Sequence, residues 1–347
     1  MSDNFRLTSM SKGSGCGCKI APGVLQQILH SEDVLPPDAR LLAGTAHNED
    51  AAVLQWQGDD CLISTTDFFT PVVDDAYAFG KIAAANALSD VYAMGGSPQL
   101  ALGILGWPID KAPIAMAQQV LEGARFICRM AGITLAGGHS IESPEPFFGL
   151  SVNGRVHRTH LKRNHTAQEG NLLFLTKPLG VGMVLAAAKR NVVVPSDLDI
   201  AVHQMMELNK MGEALGSLDG VTAMTDVTGF GLMGHALEMC DDGRLTMEIE
   251  FESLPQLASN AALIGQSIYP DMTMKNYSAF AAHAAPLSMQ QLMVLCDPQT
   301  SGGLLVAVNP QHIESYQAVV SDFGLQGIAG QCIGRMTARQ EKAIVLR

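Results

Sequence analysis

Charge is scarce in this sequence, and positive charge scarcest. Of 347 residues 16% are charged, and 22 Lys and Arg stand against 34 Asp and Glu, a formal charge of −12. A chain so poor in cations does not neutralise phosphate backbones, which excludes non-specific nucleic-acid binding. Long apolar runs are also absent. The stretches around 100–107 and 179–188 are broken by Gly, Pro or Lys177 short of the roughly 18 residues a membrane span needs. Residues 1–19 show neither the charged start nor the apolar run of a secretory signal, so a cytoplasmic protein is expected. The seven cysteines are odd in number and, apart from Cys16 and Cys18, scattered, which argues against a disulfide framework. No G-x-x-x-x-G-K-[ST] stretch occurs, so an ATP site here is not a P-loop.

What remains is 47% hydrophobic, enough for a sizeable core, in a chain long enough for two domains. The expected organisation is a mobile Gly/Cys arm over 1–20, a first domain over 21–157, a polar and locally basic linker over 158–170, and a second domain over 171–347. Short Val/Ile/Leu segments alternate with helical patterns. Helices are expected over 22–30, 77–94 and 112–130. Strands are expected over 51–56, 61–67, 99–107, 147–156, 172–176, 221–225, 245–251 and 303–308, with a short one ending at Ala136. This is an α/β (α+β) pattern.

Four acids stand where strands or helices end. Gly58-Asp59 suits a two-residue hairpin turn, which sets partner numbers to sum to 117, Trp56 opposite Cys61 and Asp50 opposite Asp67. Opposed like charges cost roughly 0.2–1 kcal/mol, and Glu49 adds more, so a divalent cation would reverse the sign. Asp90 lies near the end of a helical pattern, where the macrodipole disfavours an anion, and shares a face with Asn86. Asp226 closes the segment VTAMTD. Strand-end caps explain each acid singly; together, hard oxygen ligands suit Mg²⁺ shared with substrate phosphates. A rival reading is Gly229-Phe-Gly231-Leu-Met-Gly234 as a dinucleotide loop with Glu248 or Glu250 about 20 residues on. On the arm, Gly13-Ser-Gly-Cys16-Gly-Cys18-Lys19 sets two thiols beside an ammonium that favours the thiolate. That motif alone fits a catalytic arm, an untidy terminus or a metal or selenium carrier.

GSGCGCK at 13–19, EDAAV at 49–53, STTDFF at 64–69, NALSDVYAMGG at 86–96, AGGHS at 136–140, MTDVTGFGL at 224–232 and CDPQTSGG at 296–303 occur in one order over nearly the whole chain. In these motifs the sequence closely resembles the selenophosphate synthetase family, within the aminoimidazole ribonucleotide synthetase-like ATP-binding superfamily. The resemblance implies a two-domain fold with mixed sheets and a homodimer. It implies synthesis of selenophosphate from selenide, ATP and water with release of AMP and phosphate, as selenium donor for selenocysteine and selenouridine formation, and leaves room for a selenium-delivery partner. It assigns Cys16 and Lys19 as catalytic, Cys18 as a less critical thiol, and Asp50, Asp90 and Asp226 as Mg²⁺ ligands. Nucleotide contacts fall to Lys19, Asp67, Asp90, Gly138, His139 and Ser140, and to His47, Asn48 and Glu49, the last a Glu where many relatives carry Asp. A superfamily relative acting on another small molecule is the alternative.

Overall fold

The computed structural model describes residues 6–11, 24, 28, 38–44, 47–241 and 243–347. Cys16, Cys18 and Lys19 lie outside these residues, as does most of the helix expected over 22–30, of which Val24 and Ile28 are helical.

The first half builds a sheet from β1 (Leu41–Ala43), β2 (Ala52–Gln57), β3 (Asp60–Phe69), β4 (Ser97–Trp107), β5 (Thr134–Glu142) and β6 (Phe147–His157), in the order β1-β2-β3-β6-β4-β5. Only β4 and β5 run parallel, joined through a helical crossover, and the remaining pairs are antiparallel. Helices α1 (Ala76–Ala93) and α2 (Ile114–Met130) cover one face. On β3 the alternation is plain: Cys61, Ile63 and Phe69 are buried and Ser64, Thr66 and Phe68 exposed.

Helix α1 explains how the halves join. Asp75 caps its start by accepting from Ala78 N at 2.8 Å. Its sequence AYAFGKIAAANALSDVYA is apolar nearly all round, the signature of a helix buried on every side. Gly80 and Gly123 let α1 and α2 approach until a methyl group at either would strike the other's backbone, at Val120 O (1.9 Å) and Tyr77 O (2.1 Å). The other flank of α1 meets the second half, so Ile82, Leu88, Val184 and Met205 share one core.

The second half carries a sheet of β7 (Leu172–Leu175), β8 (Val221–Asp226), β9 (Leu245–Ile249), β10 (Leu304–Val308), β11 (Gly334–Ala338) and β12 (Ile344–Leu346), ordered β12-β9-β11-β7-β10-β8. Helices α3 (Val181–Lys189), α4 (Pro195–Met206) and α5 (Gly231–Met239) belong to this half. No helix among the described residues is long and apolar enough to cross a membrane.

Three expectations need correction. The hairpin register sums to 116, with Gln55 opposite Cys61 and a bulge that leaves Trp56 68% exposed. A one-residue shift changes which residues face each other, so Asp50 and Asp67 are not a directly opposed pair. The segment 158–170 is solvated only at its ends, and its middle is packed against the protein. Lys162 and Asn164 are buried, Lys162 Nζ donates to Leu218 O at 2.9 Å, and Met224 N donates to Arg163 O at 3.1 Å. Finally, the strand expected to end at Ala136 continues through AGGHS to Glu142 as β5.

Candidate functional site

Strand, helix and turn bring the acids to the seam between the sheets. Asp90 projects from the last turn of α1 and accepts a short hydrogen bond from Thr65 Oγ1 on β3. That bond answers the helix-dipole objection, since a donor and not the helix end sets the carboxylate's surroundings. Asp226, at the end of β8, is 2% exposed. Asp50 accepts from Thr225 Oγ1 at 2.8 Å through Oδ1, while its buried Oδ2 has no hydrogen-bond partner among the described residues. Burial, then the charges of Asp226 and Asp90, push Asp50 well above the usual carboxylate range.

An unmade bond on a buried carboxylate oxygen beside two further acids is costly unless a cation is shared among them. The donor set is all hard oxygen, the chemistry Mg²⁺ selects. Among the described residues no three acidic, imidazole or thiol groups close on a single point. Mg²⁺ is commonly held by one or two carboxylates together with substrate phosphates, so an open arrangement fits it.

Asp67 stands apart from that trio. Its Oδ2 accepts from Asn86 Nδ2 at 2.7 Å, and Asn86 Oδ1 accepts from Ser301 N at 2.9 Å, so one α1 amide joins β3 to the glycine-rich loop of the second half. One turn on, Ser89 Oγ accepts from Asn209 Nδ2, which also donates to Gly302 O. Lys177 completes the clasp: wholly buried, its Nζ donates to Ser301 O and Glu207 O, and burial pulls its pKa down to about 8. Ser301 holds a left-handed backbone at φ 50°, a conformation that persists when its surroundings fix it. Sequence patterning missed Thr65, Lys177 and Asn209. The alternation of STTD offered a signal for Thr65, and nothing local marks the other two.

The turn carrying His47, Asn48 and Glu49 lies against residues 164 and 165. Asn164 N donates to Glu49 Oε2 at 3.2 Å, and His165 Nδ1 is 3.0 Å from Oε1. Burial raises Glu49 to about 7, against the bond from Asn164. Gly138, His139 and Ser140 lie together on β5, away from these acids in the sheet order. Gly138 has no room for a side chain, because a methyl group there would stand 2.0 Å from Gly103 O.

The dinucleotide reading fails on topology. Among the described residues β8 pairs only with β10, and antiparallel, so the parallel βαβ unit that such a loop needs is missing there. Glu248 is engaged by Arg335 and Arg347 rather than free for a ribose. In place of a pyrophosphate loop, Thr228 N donates to His235 Nε2 at 3.1 Å, which leaves Nδ1 to carry the proton towards Glu238 Oε2.

Asp297, in the CDPQTSGG loop, sits over the start of α3, where Gly182 N (2.9 Å) and Gln299 Nε2 (2.8 Å) donate to its Oδ2. Complete burial nevertheless raises its pKa from 3.8 to about 8. An acid whose folded pKa exceeds its unfolded value keeps its proton in the fold, so stability falls as pH rises across that window. Asp297→Asn, which mimics the protonated form, is expected to flatten the pH–stability curve between 5 and 8. Urea melts at fixed pH values check this, and an unchanged slope contradicts it.

Residues 48–156 match the family described as AIR synthase related protein, N-terminal domain, and residues 168–347 its C-terminal domain. The selenide, water dikinase of Colwellia psychrerythraea strain 34H is 49% identical over 343 residues, covering 99% of each chain. Among solved structures, thiamine-monophosphate kinase from Stenotrophomonas maltophilia K279a aligns with a TM-score of 0.66 at 18% identity, covering 89% of this chain and 91% of its own. AaThiL complexed with AMPPCP and TMP aligns with a TM-score of 0.66 at 16% identity, covering 99% and 96%. At those identities the two structures speak for the fold, and the first relative speaks for the subgroup. The chain belongs to the AIR synthase related family and, within it, to the selenide, water dikinases.

Proposed function

We propose that this chain makes selenophosphate from selenide, ATP and water, releasing AMP and phosphate, with Mg²⁺–ATP held at the seam between its two sheets. The observation that carries the reading is the Asp50 carboxylate, close enough to Asp226 and Asp90 to be perturbed by both, with its buried Oδ2 left for a cation. Full-length similarity to a selenide, water dikinase supports the substrate class.

Asp50, Asp90 and Asp226 are the residues assigned to Mg²⁺, which supplies charge neutralisation along the triphosphate when bound. The protein's own part is alignment. Thr65 and Thr225 fix two of the three carboxylates, and Asn86 fixes Asp67 for the nucleotide. His47, Asn48 and Glu49 border the same space, and Gly138, His139 and Ser140 are the nucleotide contacts assigned on β5. Burial of Asp226 and of the Asp50 Oδ2 atom strengthens the charge interactions there. Cys16 holds the reduced selenium, delivered free or by a carrier protein. Lys19 both favours the thiolate and meets the phosphate charge.

Features of the first sheet support a homodimer. Its face opposite α1 and α2 exposes Phe68 (49%), Leu100 (39%), Leu102 (38%) and Ile141 (51%), and β5 is an edge strand exposed along most of its length. Apolar residues gathered on an open sheet face mark an interaction surface. Pairing of two such faces would bring β5, with its Gly138-His139-Ser140 stretch, to the neighbouring copy. Leu102→Asp is expected to convert the dimer to monomer in light scattering, and an unaltered mass contradicts the assignment.

Anaerobic incubation with Mg²⁺–ATP, with and without selenide, tests the function. Nucleotide chromatography should show AMP formed only when selenide is present. ADP formed without selenide would point to a different small-molecule substrate.

A further inference from the structure

We propose that Asn164 is a positioning residue for the metal and nucleotide site, a strap that holds the 47–50 turn in the one geometry that aims Asp50 at its partners. The inference rests on the proposed function and concerns a residue that no motif singled out.

The turn has an unusual shape. Asn48 sits at φ 50°, a left-handed backbone that L residues visit singly and keep when neighbours fix it. His47 and Asn48 are exposed, so water could satisfy their carbonyls in many conformations. Asn164 instead spends both hydrogens of its side-chain amide on them, reaching His47 O at 3.0 Å and Asn48 O at 3.1 Å. Two successive carbonyls gripped by one planar amide leave the turn little rotational freedom. Aspartate lacks those hydrogens, and an apolar side chain offers none.

The rest of Asn164 is committed to the same task. Its backbone N–H donates to Glu49 Oε2, and its Oδ1 lies 3.1 Å from His165 Nδ1. That imidazole also meets Glu49 Oε1 at 3.0 Å and stacks on the His47 ring with centroids 3.9 Å apart and planes 15° from parallel. Of the Glu49 carboxylate, Oε2 accepts from Asn164 N, while Oε1 lies beside the imidazole without a hydrogen bond among the described residues. The carboxylate therefore belongs to the strap, which gives a physical use for the glutamate at a position where a shorter acid is expected.

On its other side, the strap is tied to the strand that ends in Asp226. Met224 N donates to Arg163 O, and Thr166 Oγ1 donates to Thr222 O at 2.7 Å. Thr225 on that strand holds Asp50 Oδ1. Asn164 thus lies between the turn that carries Asp50 and the strand that carries Asp226, and fixes how far apart they stand. Because the gripped carbonyls belong to exposed residues, losing the grip should disturb placement more than stability.

The test compares Asn164→Ala with Thr166→Val, which removes one side-chain bond to β8, leaves the Met224 N to Arg163 O bond in place and does not touch the turn. Mn²⁺ binding in the presence of ATP, read by EPR of the free ion, is measured beside selenide-dependent turnover and thermal melting. Asn164→Ala should weaken Mn²⁺ binding and raise half-saturating Mg²⁺ by about tenfold or more, with the KM for selenide unchanged and melting within a few degrees of the parent. Thr166→Val should stay within twofold in both. If Asn164→Ala does not fold, His165→Phe, which keeps the stack but drops the Glu49 contact, is expected to show a smaller loss of the same kind. Parent-like Mn²⁺ binding and Mg²⁺ dependence in whichever of the two folds, or equal losses in Thr166→Val, would overturn the proposal. A parent protein that binds Mn²⁺–ATP yet makes no selenophosphate would overturn the proposed function and leave the strap standing.

Discussion

Cys16→Ser is expected to lose selenide-dependent turnover by about a thousandfold or more, a barrier increase of roughly 4 kcal/mol, while Mg²⁺–ATP binding stays near the parent value. Serine keeps the size of the side chain and removes what the reaction needs of it. A hydroxyl does not ionise near neutrality and has little affinity for selenium, whereas a thiol beside Lys19 in a glycine-rich segment is readily a thiolate. Anaerobic initial rates measure the loss, and a fluorescent nucleotide titration checks that the phosphate site is intact. Cys18→Ser, by contrast, should retain most of the rate. If Cys16→Ser turned over selenide at the parent rate, the arm would have no chemical role.

Asp50→Asn should act in opposite directions on stability and on activity. In the metal-free protein Asp50 has a buried carboxylate oxygen with no hydrogen-bond partner among the described residues and feels the charges of Asp226 and Asp90. Neutralising it removes repulsion, so the metal-free melting temperature should rise by a few degrees. The same change removes a proposed ligand of Mg²⁺, and turnover at saturating ATP should fall by about a hundredfold or more. Metal that binds only the fold stabilises it by mass action, about 2.7 kcal/mol at a hundred times its dissociation constant. Mg²⁺ with ATP should therefore raise the melting temperature of the parent much more than that of Asp50→Asn. A variant that melts lower without metal, yet responds to Mg²⁺ as the parent does, would contradict the metal assignment of Asp50.

Most strands and helices were legible because their sequence periods are clean. The apolar length of 76–93 marks a helix, and the alternation in 60–69 marks a half-buried strand. The acids were legible by position, as strand and helix ends. The register between Asp50 and Asp67 was not. A bulge at Trp56 is fixed by how β3 pairs with β6 on its far side, from Asp60 opposite His157 to Phe69 opposite Phe148, and the hairpin residues alone do not encode it. The burial of 161–166 was equally hidden. Its polar side chains resemble a solvated linker, and their partners at 47–49 and 218–224 are distant in sequence, with Asn164 bonded 115 to 117 positions away. Asn86 was visible as the neighbour of Asp90, but its bond to Ser301 joins residues 215 apart.

The central claim is that a thiol-bearing arm and a seam of carboxylates together move phosphate from ATP to selenium. Its most direct test is ³¹P NMR of the full chain incubated anaerobically with ATP, Mg²⁺ and ⁷⁷Se-labelled selenide. The account predicts a new phosphorus resonance split by coupling to selenium, growing in step with AMP and inorganic phosphate as ATP declines. ATP consumed with no selenium-coupled phosphorus signal would contradict it.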